Sequence, residues 1–225
     1  MTQKEAVQVK NLTFGYGKKT VLEHLFLSVN MGESVAILGP NGAGKTTLFK
    51  LLLGLYQPWQ GSIAILGREI KSSSDRVFAR KKMAYVPQER IIGKLPITVF
   101  DSVLLGRYGK SYKGLKKPDS RDKETVIKAL DTVGLQDLAN KDVAELSGGE
   151  LQRMSIARAL VREADVVLLD EPIAHLDKKA KEEIPELIQS LQKEKELTMI
   201  TITHEDINMD FDRVFTLTEG YLKEA

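Results

Sequence analysis

The sequence contains no cysteine, which excludes disulfides and thiolate metal sites and fits a reducing compartment. Its three histidines are scattered, so they form no transition-metal cluster. No uninterrupted apolar stretch reaches the roughly 18 residues needed to cross a bilayer. If the chain works at a membrane, another chain must supply the spanning part. The opening MTQKEAVQVK has no apolar core of the signal-peptide kind, so export is not expected. Neither sign of charge dominates: 33 Lys and Arg face 31 Asp and Glu. That balance creates no large field to argue for nucleic acid as a partner. Internal repeats and low-complexity tracts are also missing, and with only a short tail after Gly220 no sizeable regulatory domain is expected.

What is present suffices for one substantial core: 225 residues, 42% of them hydrophobic, read as one domain with subdomains. Val7 to Phe14 and Val21 to Val29 alternate apolar with polar, predicting two early strands joined by a turn at Gly15, Tyr16 and Gly17. Ser34 to Leu38 reads as a strand, Lys45 to Leu55 as a buried helix, and Gly61 to Leu66 and Met83 to Val86 as further strands. Thr98 suits the N-cap of a helix over Val99 to Arg107, and Lys123 to Val133 is a second amphipathic stretch, with a loop over Gly109 to Asp122 between them. Ser147 to Glu163 predicts a helix, Val166 to Leu169 a buried strand, Lys178 to Glu194 a helix and Thr198 to Thr203 a strand. Alternating β and α segments imply a mostly parallel sheet with helices on its faces.

Gly39, Pro40, Asn41, Gly42, Ala43, Gly44, Lys45 and Thr46 match G-x-x-x-x-G-K-[ST], set between the strand and the helix that this motif requires. Glycines admit backbone angles that turn consecutive amide N–H groups toward phosphate oxygens. The N-terminus of the following helix adds about half a positive charge there. Lys45 supplies a full charge to the β- and γ-phosphates, the Thr46 hydroxyl is placed to ligate Mg²⁺, and Thr47 offers another hydroxyl. A turn that merely links strand to helix is the bland alternative, and the flanks and the Lys-Thr pair weigh against it.

Val166 to Leu169 runs into Asp170-Glu171-Pro172, delivering two carboxylates to the end of a strand where ligands gather in open α/β sheets. Consecutive residues on extended chain point apart, so the two carboxylates take different roles. Asp170 suits the second Mg²⁺ position and Glu171 a base that orients and deprotonates attacking water.

Leu146-Ser147-Gly148-Gly149-Glu150 resembles the signature motif of the ABC ATPases. Tyr16, the phosphate loop, Gln88 after Val86-Pro87, the acidic pair, Asp177 after Leu176, and His204 after Thr203 follow in that family's order. The resemblance implies an α/β fold: a P-loop NTPase (RecA-like) core with a mostly parallel sheet, an N-terminal antiparallel β-subdomain and an α-helical insertion. The core would take about 1–90 and 160–225 and the helical subdomain about 91–159. It further implies that Tyr16 stacks on adenine and that Gln88 touches Mg²⁺ or the attacking water and signals to a transmembrane partner. His204 would contact the γ-phosphate and Asp177 would bridge two subunits.

Ser147 with Glu150 three residues on is a capping-box pattern, and Gly148 and Gly149 leave first-turn amides uncovered, making a second anion site. In the family that site grips the γ-phosphate held by the opposite chain of a head-to-tail homodimer. Glu150 stands where the family most often has glutamine, a change that folding should tolerate and that would weaken ATP affinity or turnover modestly. The stretch Leu95 to Gly109 is similar to the helical insert of ATPases serving zinc and manganese importers. Lys110, Lys113, Lys116, Lys117, Arg121 and Lys123 make the most basic region, read as a solvated loop or as a contact for anionic lipid or a partner loop. The expected function is thus a cytoplasmic MgATP-hydrolysing subunit, peripheral on the inner face of the cell membrane. It would power import of a divalent metal ion such as zinc or manganese, or of a metal chelate, through permease subunits and, indirectly, an extracytoplasmic substrate-binding protein, with no nucleic acid partner. An exporter or envelope-remodelling ATPase, and an ATP-gated clamp that does not hydrolyse, are the alternatives.

Overall fold

A computed structural model describes residues 4–88, 96–109, 111, 116–204 and 207–225. Leu95, Lys110 and Lys113 lie outside the described residues. The chain opens with two long strands, β1 (Glu5–Tyr16) and β2 (Lys19–Asn30), paired antiparallel. The expected turn is shorter than Gly15 to Gly17. β1 runs on through Tyr16, which pairs with Lys19, so Gly17 and Lys18 alone reverse the chain, Gly17 at φ 60°. β4 (Gln60–Ile65) and the two-residue β5 (Arg68–Glu69) complete a four-stranded sheet ordered β2-β1-β4-β5.

The second sheet contains β3 (Ser34–Leu38), β6 (Met83–Val86), β7 (Val166–Asp170), β8 (Thr198–Thr203), β9 (Arg213–Thr218) and β10 (Tyr221–Glu224). Its order is β10-β9-β3-β8-β7-β6. All its pairings are parallel except the β9–β10 hairpin. β7 sits between β6 and β8 with both faces covered, which explains its unbroken apolar run. Val166 and Leu168 enter one apolar cluster, Val167 and Leu169 the other. The first cluster is shared with the antiparallel sheet and α1 (Lys45–Leu52). The second joins α3 (Val99–Leu104), α4 (Ser120–Thr132), α5 (Gly148–Leu160) and α6 (Lys178–Lys195) to the opposite face.

Several helix ends differ from expectation, each for a local reason. α1 stops at Leu52 rather than Leu55 because Gly54 takes φ 66°. Its N–H then bonds the Leu51 carbonyl while Leu55 N–H reaches back to Lys50, each at 2.9 Å, the glycine-dependent closure of a helix end. The helix expected over Val99 to Arg107 is α-helical only to Leu104 and tightens to a 3-10 turn over Leu105–Arg107. There Gly106 lies so close to the Arg158 carbonyl that a Cβ would fall 2.5 Å from it. α4 begins three residues before Lys123, inside the expected loop, because Asp119 and Asp122 form a capping box. α5 ends at Leu160, and Glu163 lies beyond it at φ 47°. α2 (Ser73–Lys82), β5, β9 and β10 were not anticipated. α2 buries only Ala79, so it writes almost no apolar period into the sequence.

Candidate active site

The loop from Gly39 to Gly44 leaves β3 and enters α1 at the C-terminal edge of the parallel sheet. Gly39 passes the Leu217 carbonyl of β9, where a Cβ would come within 2.3 Å. Gly44 caps α1 at φ 102° with no side chain to accept from the helix. The first-turn amides of α1 are therefore left for an anion rather than consumed by a cap.

Lys45 is 5% exposed, a burial that an ammonium tolerates only with partners. It donates to the carbonyls of Gly39 at 2.7 Å and Pro40 at 3.2 Å, and lies 3.5 Å from Glu171 Oε1. The other Glu171 oxygen accepts from Gln88 Nε2 at 3.0 Å and lies 2.8 Å from His204 Nδ1. Glu171 takes φ 48° just past the end of β7. A non-glycine residue in that region stores strain of about 1–3 kcal/mol and is typical of functional sites. The divergence of the two carboxylates thus arises less from strand alternation than from the chain leaving the strand between them.

Asp170 is 1% exposed. Burial pushes its carboxyl above the usual range, opposed by hydrogen bonds from Tyr85 and Thr46. Thr46 Oγ1 stands 3.5 Å from Oδ1, and the Tyr85 hydroxyl donates to Oδ2 at 2.7 Å. A hydroxyl beside a carboxylate is a hard-oxygen donor pair, suited to an ion that keeps most of its waters and binds phosphate. Lys45, Thr46, Gln88, Asp170, Glu171 and His204 are thus gathered at one edge of one sheet. Their arrangement can hold a triphosphate, place a divalent cation beside it and present a carboxylate base to water.

A family model described as ABC transporter matches residues 22–174, well over half of the sequence. The chain belongs to the ABC transporter family as an ATP-binding subunit. A manganese transport system ATP-binding protein of Bacillus subtilis (strain 168) is 40% identical over 200 residues, 88% of this chain and 77% of that protein. CbiO1 from Clostridium perfringens, part of the ABC transporter complex CbiONQ, matches with TM-score 0.87 and 32% identity across 98% of this chain and 88% of its own. A bacterial ABC transporter cassette solved as a dimer matches with TM-score 0.82 and 28% identity across 97% of both chains. The two sheets described above are the RecA-like core and antiparallel sheet of such cassettes.

The remaining ABC motif residues lie apart from this cluster. Tyr16 is the nearest to it by contact, its hydroxyl 3.2 Å from Thr47 Oγ1. Its ring, half exposed, meets Phe14 and Tyr56 edge-on at 5.3 and 5.6 Å. Ser147 caps α5, accepting from Glu150 N–H at 3.3 Å while its own N–H donates to the Glu150 carboxylate at 2.7 Å. That donation holds the Glu150 carboxyl below its usual range. Asp177 caps α6 through Ala180 N–H at 2.9 Å. Among the described residues, no hydrogen bond or ion pair joins Ser147, Gly148, Gly149, Glu150 or Asp177 to Lys45, Asp170 or Glu171.

Tyr85 is the contributor that sequence reasoning missed. The readable signal was a lone phenol in an otherwise apolar strand, three residues before Gln88.

Proposed function

We propose that the chain hydrolyses MgATP to drive import of a divalent metal such as manganese or zinc, or a metal chelate, through separate membrane subunits. The buried cluster of Lys45, Glu171, Gln88 and His204 carries the catalytic part of this reading. Triphosphate would take over Lys45 from the Gly39 and Pro40 carbonyls, with Thr46 and Asp170 holding Mg²⁺, which supplies charge for the phosphate oxygens. Released from Lys45, Glu171 is left between Gln88 and His204, which aim it as a general base for water. Tyr16 would stack on adenine, and Gly39 to Thr47 would line the phosphates.

The metal rests on likeness to the manganese transport system ATP-binding protein, and the import direction on 35% identity over 218 residues to a high-affinity zinc uptake system ATP-binding protein of Bacillus subtilis (strain 168). We place the permease against a cleft of about 340 Å³ bounded by Leu53, Met83, Leu105, Arg80 and Arg158. We read that cleft as the seam between a nucleotide-binding part, about 1–90 and 160–225, and a helical part, about 91–159. No helix among the described residues is long and apolar enough to cross a membrane. On this reading the spanning subunits, and a substrate-binding protein beyond them, are other chains, with this one docked at the inner face.

Completion of the site requires a second copy. Ser147 to Glu150 and Asp177 would meet the nucleotide and interface of the opposite protomer, head to tail. The test is complementation in the assembled transporter. Lys45→Ala and Ser147→Arg chains should each be inactive, whereas their mixture should recover ATPase activity, since one heterodimer site then pairs an intact Lys45 with an intact Ser147. A mixture as inactive as its parents would overturn the shared site.

A further inference from the structure

We propose that Tyr85 sets the divalent-ion preference of the nucleotide site by fixing which oxygen of Asp170 faces the ion. The inference rests on the MgATP reading above and concerns a residue outside the motifs that carried it. Tyr85 lies on β6, whose register with β7 pairs it with Leu168, two residues before Asp170. Its ring packs edge-on against Phe49 of α1 at 6.3 Å, which aims the hydroxyl along the sheet edge. From there it donates to Oδ2 of Asp170 at 2.7 Å, while Oδ1 stands 3.5 Å from Thr46 Oγ1.

The carboxylate is thus divided. One oxygen carries a short charge-assisted hydrogen bond, and the other faces the hydroxyl beside which the ion would sit. A carboxylate held this way offers the ion one oxygen and resists swinging to offer two. Mg²⁺ takes six ligands near 2.0–2.1 Å, keeps several waters and needs only one such oxygen. Ca²⁺ takes six to eight ligands at longer range and gains from a carboxylate that chelates through both oxygens. Withholding Oδ2 therefore penalises the larger ion more than the smaller. Tyr85 acts through Asp170 and is a positioning residue.

The experiment measures ATP affinity of the full chain by calorimetry during separate Mg²⁺ and Ca²⁺ titrations, in wild type and in Tyr85→Phe. Removing the hydroxyl should lower the ratio of Mg²⁺ to Ca²⁺ affinity about tenfold, the effect of one net hydrogen bond to a charged group. Metal-free ATP affinity should stay unchanged. Tyr85→Met, which also lacks the donor and relaxes the ring packing, should shift the ratio the same way and serves if the Phe variant folds poorly. Equal weakening of both ions, or an unchanged ratio, would mean that the hydroxyl has only a structural role and would overturn the inference alone. Wild-type ATP binding indifferent to any divalent ion would instead overturn the MgATP reading and this inference with it.

Discussion

The two halves of the proposed nucleotide machinery are built in opposite ways. At the C-terminal edge of the parallel sheet, Lys45, Asp170 and Glu171 are each less than a tenth exposed; Lys45 pairs with Glu171, which also meets Gln88 and His204, and Asp170 is held by Thr46 and Tyr85. At the start of α5, Ser147 and Glu150 bond one another across a capping box within a single helix end. The first half is satisfied within one chain, and a buried polar network of that kind tolerates little rearrangement. The second is a helix end already capped within its own chain, which would offer its remaining first-turn amides to a neighbour. A site so divided is expected to chemically fail in its first half and to fail by assembly in its second.

Glu171→Gln should sharpen that contrast most. Losing the base should cut turnover by roughly 10² to 10⁴ and leave ATP affinity nearly intact, as phosphate release set against calorimetric binding would report. Parental turnover would refute the assignment of the base. Ser147→Arg should also stop turnover in the dimer, while ATP affinity measured on dilute single chains stays within about twofold, because the local site is whole. A large loss of affinity in dilute chains would erase the distinction between the halves.

The helical region supplies a third, purely structural prediction. Arg107, 5% exposed, donates to Asp122 at 2.9 Å, to the Val161 carbonyl at 2.9 Å and to Glu163 at 2.9 Å. It ties the 3-10 turn to α4 and to the end of α5. Arg107→Ala would remove the cation paired with the buried Asp122 and should cost about 3 kcal/mol, read as a shift of the denaturant midpoint.

The smallest effect is expected at Glu150. Its carboxyl titrates lower in the folded chain than in the unfolded one because the Ser147 N–H favours the ionised form. Its stabilising contribution is therefore present above the ordinary glutamate pKa of about 4.3 and is lost as pH falls through the lower folded value. Glu150→Gln should differ little from wild type near neutrality, and any advantage of the wild type in melting temperature should shrink as pH drops below about 4. A gap that widens in acid would contradict the capping role.

Legibility followed the same division. The phosphate loop, the acidic pair and the α5 cap could be read from sequence because each needs particular residues at fixed spacing: glycines for φ 83° at Gly42 and 102° at Gly44, a serine with a carboxylate three positions on. Tyr85 escaped because an aromatic in a buried strand is normally core, and only the position of β6 against β7 turns its hydroxyl to Asp170. α2 escaped because a helix that buries a single alanine carries no apolar stripe. β9 alternates only weakly and β10 is nearly all exposed, so their strand character comes from pairing rather than composition. The end of α1 was overrun because Leu53 and Leu55 extend the apolar pattern past the glycine that closes the helix.

Gly149 offers no side chain where α5 meets α6, and a Cβ there would lie 3.0 Å from the Ala180 methyl. Backbone is therefore seated directly on the first turn of the next helix, the turn that Asp177 caps. With no side chain between the two helix starts, a displacement at Ser147 is expected to carry over to Asp177. A neighbouring subunit gripping either end would set the angle of both.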